Sequence, residues 1–84
     1  MAILPDMARK TLIRCLGEEI RDRRKALGFS QIALAHEAEI HPNVVGRLER
    51  GEYNPTVSLL ELLIKPLRVV LSELIAAAER RRGL

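Results

Sequence analysis

The sequence predicts an all-α fold, a compact bundle of about five helices in a single domain over residues 1–84. Three observations lead there. Apolar residues recur at spacings of three, four and seven in one stretch after another, and no run shows the strict alternation of a half-buried strand. Pro and Gly stand where helices start and stop. The apolar residues are almost all aliphatic, with one Tyr, one Phe and no Trp among 84 residues, as small helical domains tend to be. A chain of this length buries one modest core and has no room for a second module with its own pocket.

Taken in order, residues 1–6 are expected to be a flexible arm. Pro5 and Asp6 then start a first helix over about 7–27, with Leu12, Ile13, Leu16, Ile20 and Leu27 marking its buried face. Gly17 inside it is a poor helix former, up to ~1 kcal/mol worse than Ala, which points to close packing against another helix. The cationic run at residues 21–25 suits the negative end of the helix dipole, and Gly28 ends the helix. Ser30 is a natural N-cap for a second, short helix whose buried face is Ile32, Leu34, Ala35 and Ala38. After a break too small to be a loop, Pro42 suits the first position of a third helix. Val45 and Leu48 are expected inside, Asn43, Gly46, Arg47 and Arg50 outside, and Gly51 ends the helix. Two helices so close must cross steeply, so the later one projects from the surface. An exposed helix edge bearing Asn and Arg, without bulky apolar residues, has the shape that enters the DNA major groove.

Thr56 or Ser58 caps a fourth helix containing Val57, Leu59, Leu60, Leu62, Leu63 and Ile64. Being apolar on nearly every side, it is expected at the centre of the core. Pro66 removes a backbone donor and should end or kink it. A fifth pattern runs from about Val70 or Ser72 to Arg82, with Leu71, Leu74, Ile75 and Ala78 on one side; residues 79–82 read as a solvated basic terminus. Residues 70–84, the last helix and basic tail, are expected to serve dimerisation.

Fourteen Lys and Arg against eleven Asp and Glu give a net charge of +3, which permits an anionic partner without demanding one. The single Cys15 excludes an intramolecular disulfide and a cysteine metal cluster; in an apolar helical pattern it reads as a buried small side chain in a reducing cytoplasm. The start of the chain lacks a basic segment followed by an apolar run, and Lys65, Pro66 and Arg68 interrupt the Leu-rich region, so a cytoplasmic protein without a membrane span is expected. His36 and His41 do not match common zinc spacings, and no Gly-rich phosphate loop or nucleophile with a base and orienting acid is recognisable. The expectation is therefore no enzyme activity, no metal, no cofactor and no small-molecule ligand.

With these residues in view, the chain resembles the Cro and phage-repressor type of helix-turn-helix proteins, often called Xre-like. The pattern runs from Leu16-Gly17-Glu18-Glu19-Ile20 through Arg24, Gly28-Phe29-Ser30-Gln31, Leu34-Ala35, Ala38, Ile40, Val45, Leu48-Glu49-Arg50-Gly51 and Asn54-Pro55 to Leu67 and Leu74. Size and layout resemble the controller proteins of restriction-modification systems and short phage-type repressors. The resemblance implies a lambda-repressor-like DNA-binding domain acting as a homodimer on paired half-sites. It implies that Asn43, Val44 and Arg47 read bases, that Gln31, His41 and Arg50 touch phosphates, and that Arg24 and Glu49 form a structural ion pair. Chemistry supports the base readers, since Asn pairs bidentately with adenine and Arg with guanine, each worth ~1 to 3 kcal/mol of discrimination.

The sequence also departs from the family pattern. Glu39 stands where the turn often carries Gly, at a cost of ~1 to 2 kcal/mol if the backbone there is left-handed. His41 replaces a Ser or Thr cap, Pro42 takes a position that often carries a base-contacting residue, and Ala33 removes the capping-box partner of Ser30. Arg68 and Val70 replace the usual Gly and Ser of the last junction.

Two classes of function follow. The first is a sequence-specific transcriptional regulator binding double-stranded DNA as a homodimer through a recognition helix over residues 42–50, the two such helices ~34 Å apart. Its dimer interface would be drawn from Leu67, Val69, Leu71, Leu74, Ile75 and Ala78. The second is an antitoxin-like or coactivator-like protein-binding module of the same family. Salt separates them, because binding through several phosphates weakens steeply with salt while an apolar interface barely changes.

Overall fold

The computed structural model describes residues 10–83 and places five helices there, with no strand among them. They are α1 (Leu12–Ala26), α2 (Gln31–Ala38), α3 (Pro42–Glu49), α4 (Val57–Leu67) and α5 (Leu71–Arg82). The helix start expected at Pro5 and Asp6, and the arm over residues 1–6, lie outside the described residues. Lys10 and Thr11 precede α1 rather than belonging to it, because the Thr11 hydroxyl accepts the Arg14 N–H at 3.1 Å and so caps the helix five residues later than expected. Ser30 and Thr56 cap α2 and α4 in the same way, accepting from Ala33 and Leu59 at 3.0 Å.

The helix ends share one device. The N–H groups of Phe29, Ile40, Glu52 and Val69 each donate to a carbonyl five residues back, on Arg24, Ala35, Arg47 and Ile64. In each case the preceding residue is left-handed: Gly28, Glu39, Gly51 and Arg68. This is the bond by which helices commonly satisfy their last carbonyls. It explains how α4 runs one residue past Pro66 and ends at Leu67. In the last turn the proline costs a single helical hydrogen bond, and the closure at Arg68 and Val69 lies beyond it.

Cys15, Leu16, Ile20, Leu34, Ala35, Ala38, Val45, Leu48, Leu60, Leu63, Leu67, Leu74 and Ala78 form one continuous core. The helix at its centre is α1 and not α4: α1 packs most broadly on α5 and α3, while α4 buries Leu60, Leu63 and Leu67 and leaves Val57 and Leu62 open to solvent. At Gly17, α1 approaches the end of α3 so closely that a Cβ would overlap the Leu48 carbonyl oxygen. Ile32 is another correction. It is 70% exposed, so α2 buries only Leu34, Ala35 and Ala38.

The basic end of α5 is tied down rather than merely solvated. Arg81 bridges to Glu19 at 2.9 Å and Asp22 at 2.8 Å, both on α1. Those hydrogen bonds, Asp22 first, raise the pKa of its guanidinium. Arg80 pairs with Glu73 at 2.8 Å, and this hydrogen bond and charge hold the Glu73 carboxyl below the usual carboxylate range. Among the described residues no helix is long and apolar enough to cross a membrane.

Candidate nucleic-acid interface

The third helix is positioned by its own sequence. Pro42 occupies its first turn, and the His41 Nδ1 accepts the Asn43 N–H at 3.0 Å, so this imidazole serves as the cap. A neutral ring that accepts at Nδ1 carries its proton on Nε2, where it is free to donate to an anion outside the helix. Val45, Leu48 and Glu49 are buried, and Val44 is half-buried against the core. Asn43 and Arg47, one turn apart, are exposed on the opposite side.

One buried ion pair anchors this helix to the bundle. The Arg24 Nε donates to Glu49 Oε2 at 2.6 Å and its Nη2 to Oε1 at 3.0 Å, with each residue only 8% exposed. The remaining terminal nitrogen, Nη1, donates to the Phe29 carbonyl at 2.8 Å, and Gln31 Nε2 adds a 3.0 Å hydrogen bond to Glu49 Oε1. The C-terminal half of α1, the approach to α2 and the end of α3 therefore converge on two side chains. Paired and hydrogen-bonded on both partners, these charges escape the penalty that isolated buried charges carry.

Gly46 is buried, not outward-facing as the periodicity suggests. The Gln31 and Arg50 side chains pass over it, and a Cβ there would lie 3.2 Å from Arg50 Nη1 and 3.6 Å from Gln31 Oε1. Its small size thus gives room to these two polar side chains. Gln31 and Arg50 are themselves exposed. Glu52 pairs with Arg50 at 3.1 Å, and Arg47 lies with its guanidinium 5.3 Å from the Tyr53 ring centroid, its Nη2 donating weakly to the Glu52 carbonyl at 3.4 Å. Glu52 and Tyr53 carry no sequence signal that marks them as partners of Arg47. No helical spacing links them to Arg47, since they act from the turn beyond the helix end.

Of the residues expected at a dimer interface, Leu67, Leu74 and Ala78 are buried in the chain's own core and cannot serve as its contact surface. Val69, Leu71 and Ile75 are half-buried, and Val70 beside them is 66% exposed.

A sequence profile of helix-turn-helix domains matches residues 20–74. The chain belongs to the helix-turn-helix family, of the Xre and Cro type. This helix-turn-helix protein is similar to the restriction-modification controller protein C.AhdI from Aeromonas hydrophila, with 32% identity over 75% of this chain and 94% of that one and a TM-score of 0.70. It shares its fold with the clp gene regulator ClgR from Corynebacterium glutamicum, at 23% identity, a TM-score of 0.83 and coverage of 88% and 95%. It also shares that fold with the controller protein C.Esp1396I, solved as a tetramer on its natural 35 base-pair operator; identity is 23%, the TM-score 0.79 and coverage 89% and 99%. No curated protein matches it in sequence. As a member of this family, the helix-turn-helix chain is a DNA-binding regulator of transcription.

Proposed function

We propose that this regulator binds paired operator half-sites as a homodimer and reads sequence with α3. The observation that carries the reading is the division of α3 into two sides, with Asn43 and Arg47 exposed one turn apart while Val45, Leu48 and Glu49 are buried. In this reading Asn43 and Arg47 read base edges, and Val44, half-buried at the border, packs on a thymine methyl group. Gln31, His41 and Arg50 touch phosphates and fix the docking angle. The subunits pair through Val69, Val70, Leu71 and Ile75 at the α4–α5 junction, where the apolar surface remains accessible. The controller protein C.Esp1396I, solved on operator DNA, supports such a mode of action. No catalytic role, cofactor or small-molecule ligand is proposed, and the chain acts in the cytoplasm.

Asn43→Ala and Arg47→Ala are expected to abolish preference for the DNA upstream of the chain's own gene over a scrambled duplex, leaving the melting curve unchanged. Gel shifts on both duplexes check this. Equal losses on the two would show that these residues do not read sequence. Sedimentation of the free protein tests the dimer, and a monomer at micromolar concentration would refute it.

A further inference from the structure

Most cations that line α1 and α5 are matched to carboxylates. Lys10 pairs with Glu18 at 2.9 Å, Arg23 with Glu19 at 2.7 Å, and Arg81 with Glu19 and Asp22. Arg21 and Lys25 differ. Both are exposed, and among the described residues neither has a carboxylate within 4.0 Å. With Gln31 and Arg50 they line one concave surface, in which the only carboxylate is Glu49. That carboxylate is already held by both Arg24 and Gln31, so the hollow keeps a cationic surplus. Arg21 also borders a second hollow with Arg14 and Arg50, where the two carboxylates, Glu18 and Glu49, are already paired with Lys10 and Arg24. At 100° per residue, positions 14, 21 and 25 fall within an arc of about 40° on α1, and Glu18 at the border of that stripe is paired with Lys10 and Arg14, which leaves Arg21 and Lys25 as its unmatched charges.

We propose that Arg21 and Lys25 form a cradle for backbone phosphates of the bound duplex, extending the contact from α3 onto α1. The ligand chemistry is a phosphate oxyanion taken as part of DNA, held by two long cationic side chains beside the Gln31 amide. The cradle carries no base information. It adds affinity on every sequence, and it rests on the reading of the chain as a DNA-binding regulator.

The test compares the wild type with Arg21→Gln/Lys25→Gln on one long mixed-sequence duplex. A second double variant, Lys65→Gln/Arg68→Gln, removes the same charge from the end of α4. With one phosphate neutralised by each residue, the slope of log K against log salt falls by about 1.8 in the cradle variant. Its deficit relative to wild type then shrinks about tenfold between 50 and 200 mM salt. The α4 variant keeps the wild-type slope, and circular dichroism shows all three proteins folded. An unchanged slope in the cradle variant, or an equal drop in the α4 variant, overturns the cradle alone. Failure of the wild type to bind any duplex overturns the DNA-binding reading and the cradle with it. Saturable binding of inorganic phosphate at fixed ionic strength, lost in the cradle variant, would reassign the hollow to a free anion.

Discussion

At the scale of single residues, the Arg24–Glu49 pair governs the rest. Both atoms of the carboxylate and all three nitrogens of the guanidinium are engaged, so removing either partner strands a buried charge together with its remaining hydrogen bonds. Arg24→Ala or Glu49→Ala is expected to destabilise the fold by about 3 to 5 kcal/mol, read from urea denaturation. An Arg24→Met/Glu49→Leu double variant recovers much of that loss, because no unpaired charge is left behind. Side chains acting within one helix were legible in the sequence, as with Ser30, Pro42 and the inward Val45 and Leu48. Residues whose environment comes from another segment were not. Gly46 lies on the outward arc of α3 by counting, yet Gln31 and Arg50 close over it. Ile32 obeys the helical period, but no neighbouring helix reaches it. The same limit hid Tyr53, whose ring meets Arg47 across a turn.

At the scale of elements, the four matching helix ends are filled unequally. Gly28 and Gly51 adopt positive φ without strain, whereas Glu39 at φ 58° and Arg68 at φ 56° force a Cβ into the left-handed region. Glu39→Gly and Arg68→Gly are each expected to raise stability by about 1 kcal/mol, measured by chemical denaturation. Gly51→Ala should do the reverse, since a Cβ there would also stand 3.1 Å from the Arg14 Cα. Helix number, order and most boundaries were readable because caps and glycines are local signals. The start of α1 was not, because the cap at Thr11 competes with the start signal at Pro5 and Asp6, whereas Pro66 marked the end of α4 to within one residue. The centre of the bundle was misjudged for a related reason. Apolar content ranks α4 first, while Gly17 lets α1 approach α3 most closely.

At the scale of the whole molecule, α5 is held to α1 partly by an exposed ionic network. Arg81→Ala is expected to cost no more than about 1 kcal/mol at low salt, and the difference should fade in 1 M NaCl, because accessible pairs are screened. Acid acts on the same network. Arg80 lowers the Glu73 pKa, so the unfolded chain takes up that proton at higher pH than the folded one. The resulting stabilisation is fully present above the ordinary carboxylate range and is lost as pH falls through the lower folded value. Thermal melts of wild type and Glu73→Gln should therefore converge in acid and separate slightly toward neutral pH. Convergence at neutral pH instead would show that Glu73 contributes nothing. The buried pair leads to a different expectation. One guanidinium fastens α1, the approach to α2 and the end of α3, so the proposed reading surface on α3 cannot tilt without tearing open its own anchor. Docking should then resemble the meeting of two finished shapes, with little refolding heat on the protein side. In the proposed dimer, wherever groove width or curvature does not suit the two subunits, the duplex is expected to bend to them, and stiffness at base pairs that no side chain touches would become part of what is recognised.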